Sequence, residues 1–203
     1  MPAPRKFTHE QLQAAALELV DEEGLAGLTM RALATRLGTG PMTIYNYVDG
    51  RDGLERLVTG AVMARAHRPV PRADWRVRVE SIAEDMWRAV RAHPNAIPLI
   101  LTRRSLDESA LASTEALLQA LADGGRSGAD LLAAFRVVSG FIAGFVQAEL
   151  PAPSGGNGRS APVRMAALPP ERFPRLAEIA RATGDPEAEF RAGLKILLAG
   201  LDA

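Results

Sequence analysis

The turn Gly38-Thr39-Gly40-Pro41, set between two short segments of helical periodicity, constrains this chain more than any other feature. Two glycines and a proline within four residues stop one helix and start another almost at once. Upstream, Thr8 with Gln11 forms a capping-box pattern, and Leu12, Ala15, Ala16, Leu19 and Val20 follow at helical spacing until Gly24. A second helix is expected at about Thr29–Leu37, carrying Leu33 and Leu37 and closed by Gly38. A third spans about Pro41–Tyr47, where the missing N–H of Pro41 costs nothing. Asp49 and Asp52 open a fourth, with Leu54, Leu57, Val58, Ala61 and Val62, which runs to about His67 and meets Pro69 and Pro71.

After this proline pair the segments lengthen. Asp74–Arg91 is broken by His93-Pro94, and Ala96–Arg103 is short. Asp107–Asp123, Ala129–Glu149, Glu171–Arg181 and Pro186–Leu201 complete the helical pattern. Residues 151–170 are rich in proline and glycine and read as a flexible loop. No strand pair and no internal repeat emerge. The expected fold is all-α, with about nine to ten helices. A three-helix head within residues 1–68 is joined by its fourth helix to a larger helical body, residues 69–203.

Composition narrows the function. The 203 residues include no cysteine, which excludes a disulfide scaffold, a thiolate metal site and a thiol nucleophile. The opening MPAPRKFTHEQ has no apolar core of a secretory signal. The charge-free stretch Val137–Gln147 in the apolar part is about half a membrane span. A cytoplasmic chain that engages no membrane is therefore expected. The only histidines are His9, His67 and His93. There is no HExxH, ExxH pair, P-loop, GxGxxG or GxSxG, so neither an enzyme nor a metal or cofactor is expected. The 24 basic and 24 acidic residues balance, which argues against a general polyanion binder. A local basic footprint remains compatible with that balance.

Two short helices across such a turn are either a plain helical corner or a helix-turn-helix. On a helical wheel Pro41, Ile44 and Val48 share one side of the third helix. Met42, Thr43, Asn46 and partly Tyr45 share the other. Thr43 and Asn46 can hydrogen-bond base edges, and the methyls of Met42 or Thr43 can meet a thymine methyl. Tyr45 and Tyr47, the only tyrosines, carry hydroxyls suited to phosphate oxygens.

The run LTMRALATRLGTGPMTIYNYVDGRDGL, with its lead-in AALELVDEEGLAGLTM, resembles the tetracycline-repressor (TetR) family. The matching positions are Gly24, Thr29, Arg31, Leu33, Ala34, Leu37, Gly38, Thr43, Tyr45, Tyr47, Val48, Arg51 and Leu54. The resemblance implies double-stranded operator DNA as partner. It implies that Thr29 touches phosphate and that Arg31 reaches a base or phosphate. Pro41, Met42, Thr43 and Asn46 would face bases, Tyr45 and Tyr47 would hold the backbone, and Arg51 would contact phosphate. Val48 stands where Phe is common in the family, and Gly40-Pro41-Met42 departs from its usual pattern. Residues 1–68 hold eight basic and eight acidic side chains, so a shallow salt dependence of binding is expected.

The body resembles the C-terminal domain of the same family, through Asp74-Trp75, His93-Pro94, Thr102-Arg103-Arg104, Phe141–Phe145 and the motif from Phe190 to Leu201. It implies a small-molecule inducer cavity. The residues expected to line it are His67, Met86, Ile100, Leu101, Leu117, Leu121, Val138 and Phe141. The short helix matching Ala96–Arg103 lacks the histidine with which the family's namesake holds its metal–drug chelate. That absence points to a mostly apolar ligand. The Leu131–Val146 and last helices are apolar on more than one face and are either interior or paired with a second copy. The family's usual four-helix arrangement implies a homodimer interface at Phe135, Ile142, Phe145, Phe190, Leu194, Leu197 and Leu198. The expected function is a homodimeric, ligand-released repressor on a palindromic operator. The alternatives are a helical interaction protein without inducer and an α-helical enzyme.

Overall fold

The computed structural model describes residues 6–66, 73–102, 108–148, 150, 167–182 and 184–201. Among these residues there are ten α-helices and no strand, in agreement with the all-α expectation. They are α1 (His9–Gly27), α2 (Met30–Arg36), α3 (Pro41–Tyr45), α4 (Gly50–Arg65), α5 (Trp75–Arg91), α6 (Ile97–Thr102), α7 (Glu108–Asp123), α8 (Gly128–Ala148), α9 (Pro174–Arg181) and α10 (Pro186–Gly200). A 3-10 turn, Pro94–Ala96, precedes α6. Most of the expected loop, residues 151–166, lies outside the described residues.

Local chemistry accounts for the ends of the head's helices. The Thr8 hydroxyl accepts from the Gln11 N–H, and the Gln11 side chain accepts from the Thr8 N–H, closing the capping box. Gly24 takes φ 69°, a left-handed conformation that breaks the regular helix before the last turn of α1. Thr29 caps α2 by accepting from the Ala32 N–H. Asp49 precedes α4, but its side chain makes no capping hydrogen bond, contrary to the sequence reading. The chain instead turns through Gly50 at φ 56°. Gly53 allows the start of α4 to approach α3, because a Cβ there would lie 2.8 Å from Val48 Cβ.

Leu12, Ala16, Leu19 and Val20 of α1 bury one face against Leu54, Leu57, Val58 and Ala61 of α4. Arg36 ties the end of α2 to α1 through Glu18 and Glu22. Its hydrogen bond holds the Glu22 carboxyl below the usual glutamate range. A lowered carboxylate of this kind keeps its ion pair at neutral pH and loses it only in acid, as pH falls through the lowered value.

The body closes around α5. Trp87 is wholly buried and stacks on Phe190 of α10, with ring centroids 4.6 Å apart and planes 6° from parallel. Phe145 meets both rings nearly edge-on, and Phe141 packs on Phe145 and Phe190. Arg88 and Arg191 share Glu84 and Glu187, linking α5 to α10 on the outside. Exposed pairs of this type add little stability, so the aromatic stack holds α10. Head and body are not separate beads. α4 packs on α5 and α7, and α1 packs on the 3-10 turn.

Candidate nucleic-acid interface

The third helix, α3, is presented by what it buries. Ile44 and Val48 lie inside, among the apolar residues of α1, α2 and α4. Each fully buried aliphatic side chain of this size is worth about 1.5–3 kcal/mol, enough to anchor a five-residue helix that could not stand alone. The opposite side is open. Met42 is 76% and Tyr45 52% exposed, and Asn46 is exposed beside them; Pro41, expected on the side of Ile44 and Val48, is exposed too, because it stands at the helix start. Thr43 is half-buried. Thr29 and Arg31, at the start of α2, are also exposed. A thioether, two hydroxyls and an amide thus share one convex surface that can enter a groove and meet base edges.

Two of the expected backbone contacts have other work. Arg51 turns inward: its Nε donates to Glu55 at 2.6 Å, Nη2 donates to the Leu25 carbonyl at 2.8 Å, and Nη1 donates to the Leu28 carbonyl. The carbonyls left unpaired where α1 ends draw the guanidinium away from a phosphate. Arg51→Met is expected to destabilise the protein by about 1–3 kcal/mol in urea titrations, because the Leu28 carbonyl and the Glu55 carboxylate, both on buried residues, lose a charged donor. A phosphate contact by the exposed part of the same guanidinium would show separately, as a salt slope of DNA binding lower by about one. Tyr47 is half-buried, and its hydroxyl accepts from the Phe7 N–H at 3.0 Å. The Tyr47 hydroxyl thereby orders the chain entering α1.

The body's residues divide differently from the sequence reading. Leu117, Leu121 and Val138 are buried in the core, and Met86, Ile100 and Phe141 pack partly buried against it. Leu101 faces outward and is exposed, because a six-residue helix turns one side to solvent. His67 lies outside the described residues. Of the expected interface residues, Ile142, Phe190, Leu194 and Leu198 are buried within the chain itself, and Phe135, Phe145 and Leu197 are half-buried against the same core. The aromatic stack with Trp87 claims that side of α8 and α10.

The faces left open are the reverse ones. α8 exposes Leu132, Val137, Gly140, Ala143, Gly144 and Gln147, and α10 exposes Ala188, Ala192, Ile196 and Ala199. Val137 is 48% and Ile196 76% exposed. A Cβ added at Gly140 or Gly144 would meet nothing within 4 Å. By length and composition α8 could also cross a membrane, but it is packed among α5, α6, α7 and α10. The small residues of α8 were visible in the sequence. Which side of the helix they serve was not.

A helix-turn-helix head carried on a larger helical body defines a class of DNA-binding regulators. Residues 12–56 match the family described as bacterial regulatory proteins of the tetR family, and residues 68–203 match the tetracyclin repressor-like C-terminal domain. The chain belongs to the TetR family of transcriptional regulators, whose members are DNA-binding repressors. It is 33% identical to an HTH-type transcriptional regulator of Saccharopolyspora erythraea, over 97% of this chain and 85% of that protein. It is 28% identical to the HTH-type transcriptional repressor DrrR1 of Streptomyces coeruleorubidus, over 97% and 77% respectively. Apo ActR from Streptomyces coelicolor matches with a TM-score of 0.79 at 27% identity, covering 98% of this chain and 96% of that one. The same protein in complex with actinorhodin matches with a TM-score of 0.78 at 26% identity, with the same coverage.

Proposed function

We propose that this protein is a cytoplasmic homodimeric repressor that binds a palindromic operator and leaves it when a small, mostly apolar molecule enters the body. The observation that carries the reading is the two-sidedness of α3: Ile44 and Val48 are buried while Met42, Tyr45 and Asn46 face solvent. Met42, Thr43 and Asn46, with Pro41 at the helix start, read bases. Tyr45, Thr29 and Arg31 meet the backbone or flanking groups. The head is residues 1–68 and the body 69–203. Ligand responsiveness is supported by the ActR–actinorhodin complex among the similar structures.

The ligand site is assigned to the body, with His67, Met86, Ile100, Leu117, Leu121, Val138 and Phe141 as its lining. Two-fold symmetry through the open faces of α8 and α10 brings two copies of α3 to successive major grooves, about 34 Å apart. A ligand that moves the population from 1:99 to 99:1 must prefer the released conformation by about 5.5 kcal/mol. Such a dimer needs neither catalysis nor a cofactor.

Tyr45→Ala and Thr43→Ala are expected to weaken binding to the chain's own upstream DNA by roughly 1–3 kcal/mol each in mobility-shift titrations, with an unchanged urea midpoint. Unchanged shifts for both would overturn the assignment of α3. With a head of zero net charge, the salt slope is expected to report on the order of four to six released counterions per dimer. A slope near zero would indicate that the protein does not bind DNA through phosphates.

A further inference from the structure

One imidazole touches both parts of the molecule where the head meets the body. His93 follows the end of α5, stands at the N-cap position of the 3-10 turn without a side-chain cap bond, and is 7% exposed. Its Nδ1 lies 2.8 and 3.0 Å from the two carboxylate oxygens of Asp21 on α1. Its Nε2 lies 2.6 Å from Nη1 of Arg65, the last residue of α4. Two residues on, the Asn95 amide donates to the carbonyls of Val20 and Asp21 at 3.0 and 3.1 Å. On the other elements packed against this turn, Arg91 ends α5 with its guanidinium over the Trp87 ring at 5.1 Å, and α6 carries no ionisable side chain.

The partners dictate the state of the ring. A guanidinium only donates hydrogen bonds and a carboxylate only accepts them. His93 must therefore hold its proton on Nδ1, give it to Asp21, and accept from Arg65 on a bare Nε2. That is a neutral imidazole in a single tautomer. A second proton has only Nε2 to occupy, and there it confronts a donor of the same charge. Protonation thus strengthens the arm to Asp21 and breaks the arm to Arg65.

We propose that His93 is a proton-operated link between the body and α4. Neutral, it ties the end of α4 to the body and to α1. Protonated, it stays with α1 and releases α4. The effect on DNA rests on the function proposed above, in which α4 joins the reading head to the body. Release in acid frees the end of α4 while α1 stays bound, and so shifts α4 within the head and lowers operator affinity.

The sharpest test is His93→Gln. The Gln amide nitrogen can donate to Asp21 and its oxygen can accept from Arg65, yet the group takes up no proton. Affinity for labelled upstream DNA is measured by fluorescence anisotropy at constant ionic strength. Between about pH 7.5 and about pH 5.5 the wild type is expected to lose roughly tenfold more affinity than the variant. Equal losses overturn the proposal, whatever His9 and His67 contribute to both proteins.

If His93→Gln fails to fold, Arg65→Met replaces it. That change removes the repulsion and is expected to suppress the extra acid response; a full response overturns the link. A second measurement needs no DNA. Nitrogen–proton spectra of the imidazole at neutral pH are expected to show a protonated Nδ1 and a bare Nε2 on His93. The opposite tautomer, or a doubly protonated ring, overturns the link. A protein that shows the expected tautomer but binds no DNA at any pH would sink the repressor reading and leave the link standing.

Discussion

Phe190→Ala is expected to destabilise the protein by about 3–5 kcal/mol, the range for removing a large aromatic side chain from a packed core. Phe190 is wholly buried, lies flat on Trp87 and is flanked by Phe141 and Phe145. Removing it leaves a void among three rings, and each loses contacts that nothing nearby can replace. Urea unfolding followed by tryptophan fluorescence, to which Trp75 and Trp87 both contribute, measures the loss. The alternative, taken from sequence alone, places Phe190 between two subunits. In that case the substitution would leave a stable monomer and show itself as dissociation at low protein concentration. Ile196→Ala on the outer face of α10 is the internal comparison. Its side chain is exposed, so the isolated chain is expected to change by less than about 0.5 kcal/mol.

Val137→Glu is expected to do the opposite: spare the fold and abolish the proposed dimer. Val137 stands half-exposed on the outer face of α8, beside Gly140, Ala143 and Gly144. A carboxylate there is hydrated in the monomer. In a close helix–helix contact it would be stripped of water and set against its own symmetry mate. An unpaired buried charge costs about 3–5 kcal/mol, and two-fold symmetry applies that cost twice. Sedimentation velocity at micromolar concentration is expected to show monomers. If the proposed dimer holds, operator affinity is expected to fall more than about 100-fold, because one head would reach only half of the proposed palindrome. An intact dimer would remove the outer face of α8 from the interface. A charge at Phe141 tests something else, since that ring packs within the aromatic core and its loss disturbs the body itself.

Much of the head was legible before any coordinates. The turn at Gly38–Pro41, the capping box at Thr8 and the alternation of Ile44 and Val48 with Met42, Thr43 and Asn46 all act over a few residues. Their consequences follow from local sterics and helical periodicity. The cap by Asp49 did not form because Gly50 supplies the turn. Arg51 was only partly legible, for a different reason. Its motif position suggested a phosphate, but the carbonyls of Leu25 and Leu28, more than twenty residues away in sequence, fold against it. No local pattern reports such a distant partner.

The same limit explains the body. Sequence established that α8 and α10 are apolar on more than one face, because periodicity depends only on the order of residues. It could not say which face meets its own chain and which is left open. That choice was made by Trp87 on α5, whose ring draws Phe190 and Phe145 inward and turns Val137 and Ile196 out. His93 is the extreme case. In sequence it was half of a helix-breaking His-Pro pair. Only the packing of α1 and α4 around it brought a carboxylate and a guanidinium to its two nitrogens. Helices, caps and turns are short-range matters and the chain carries them in its order; partners across the fold depend on the summed burial of every helix, which exists only once the molecule has closed.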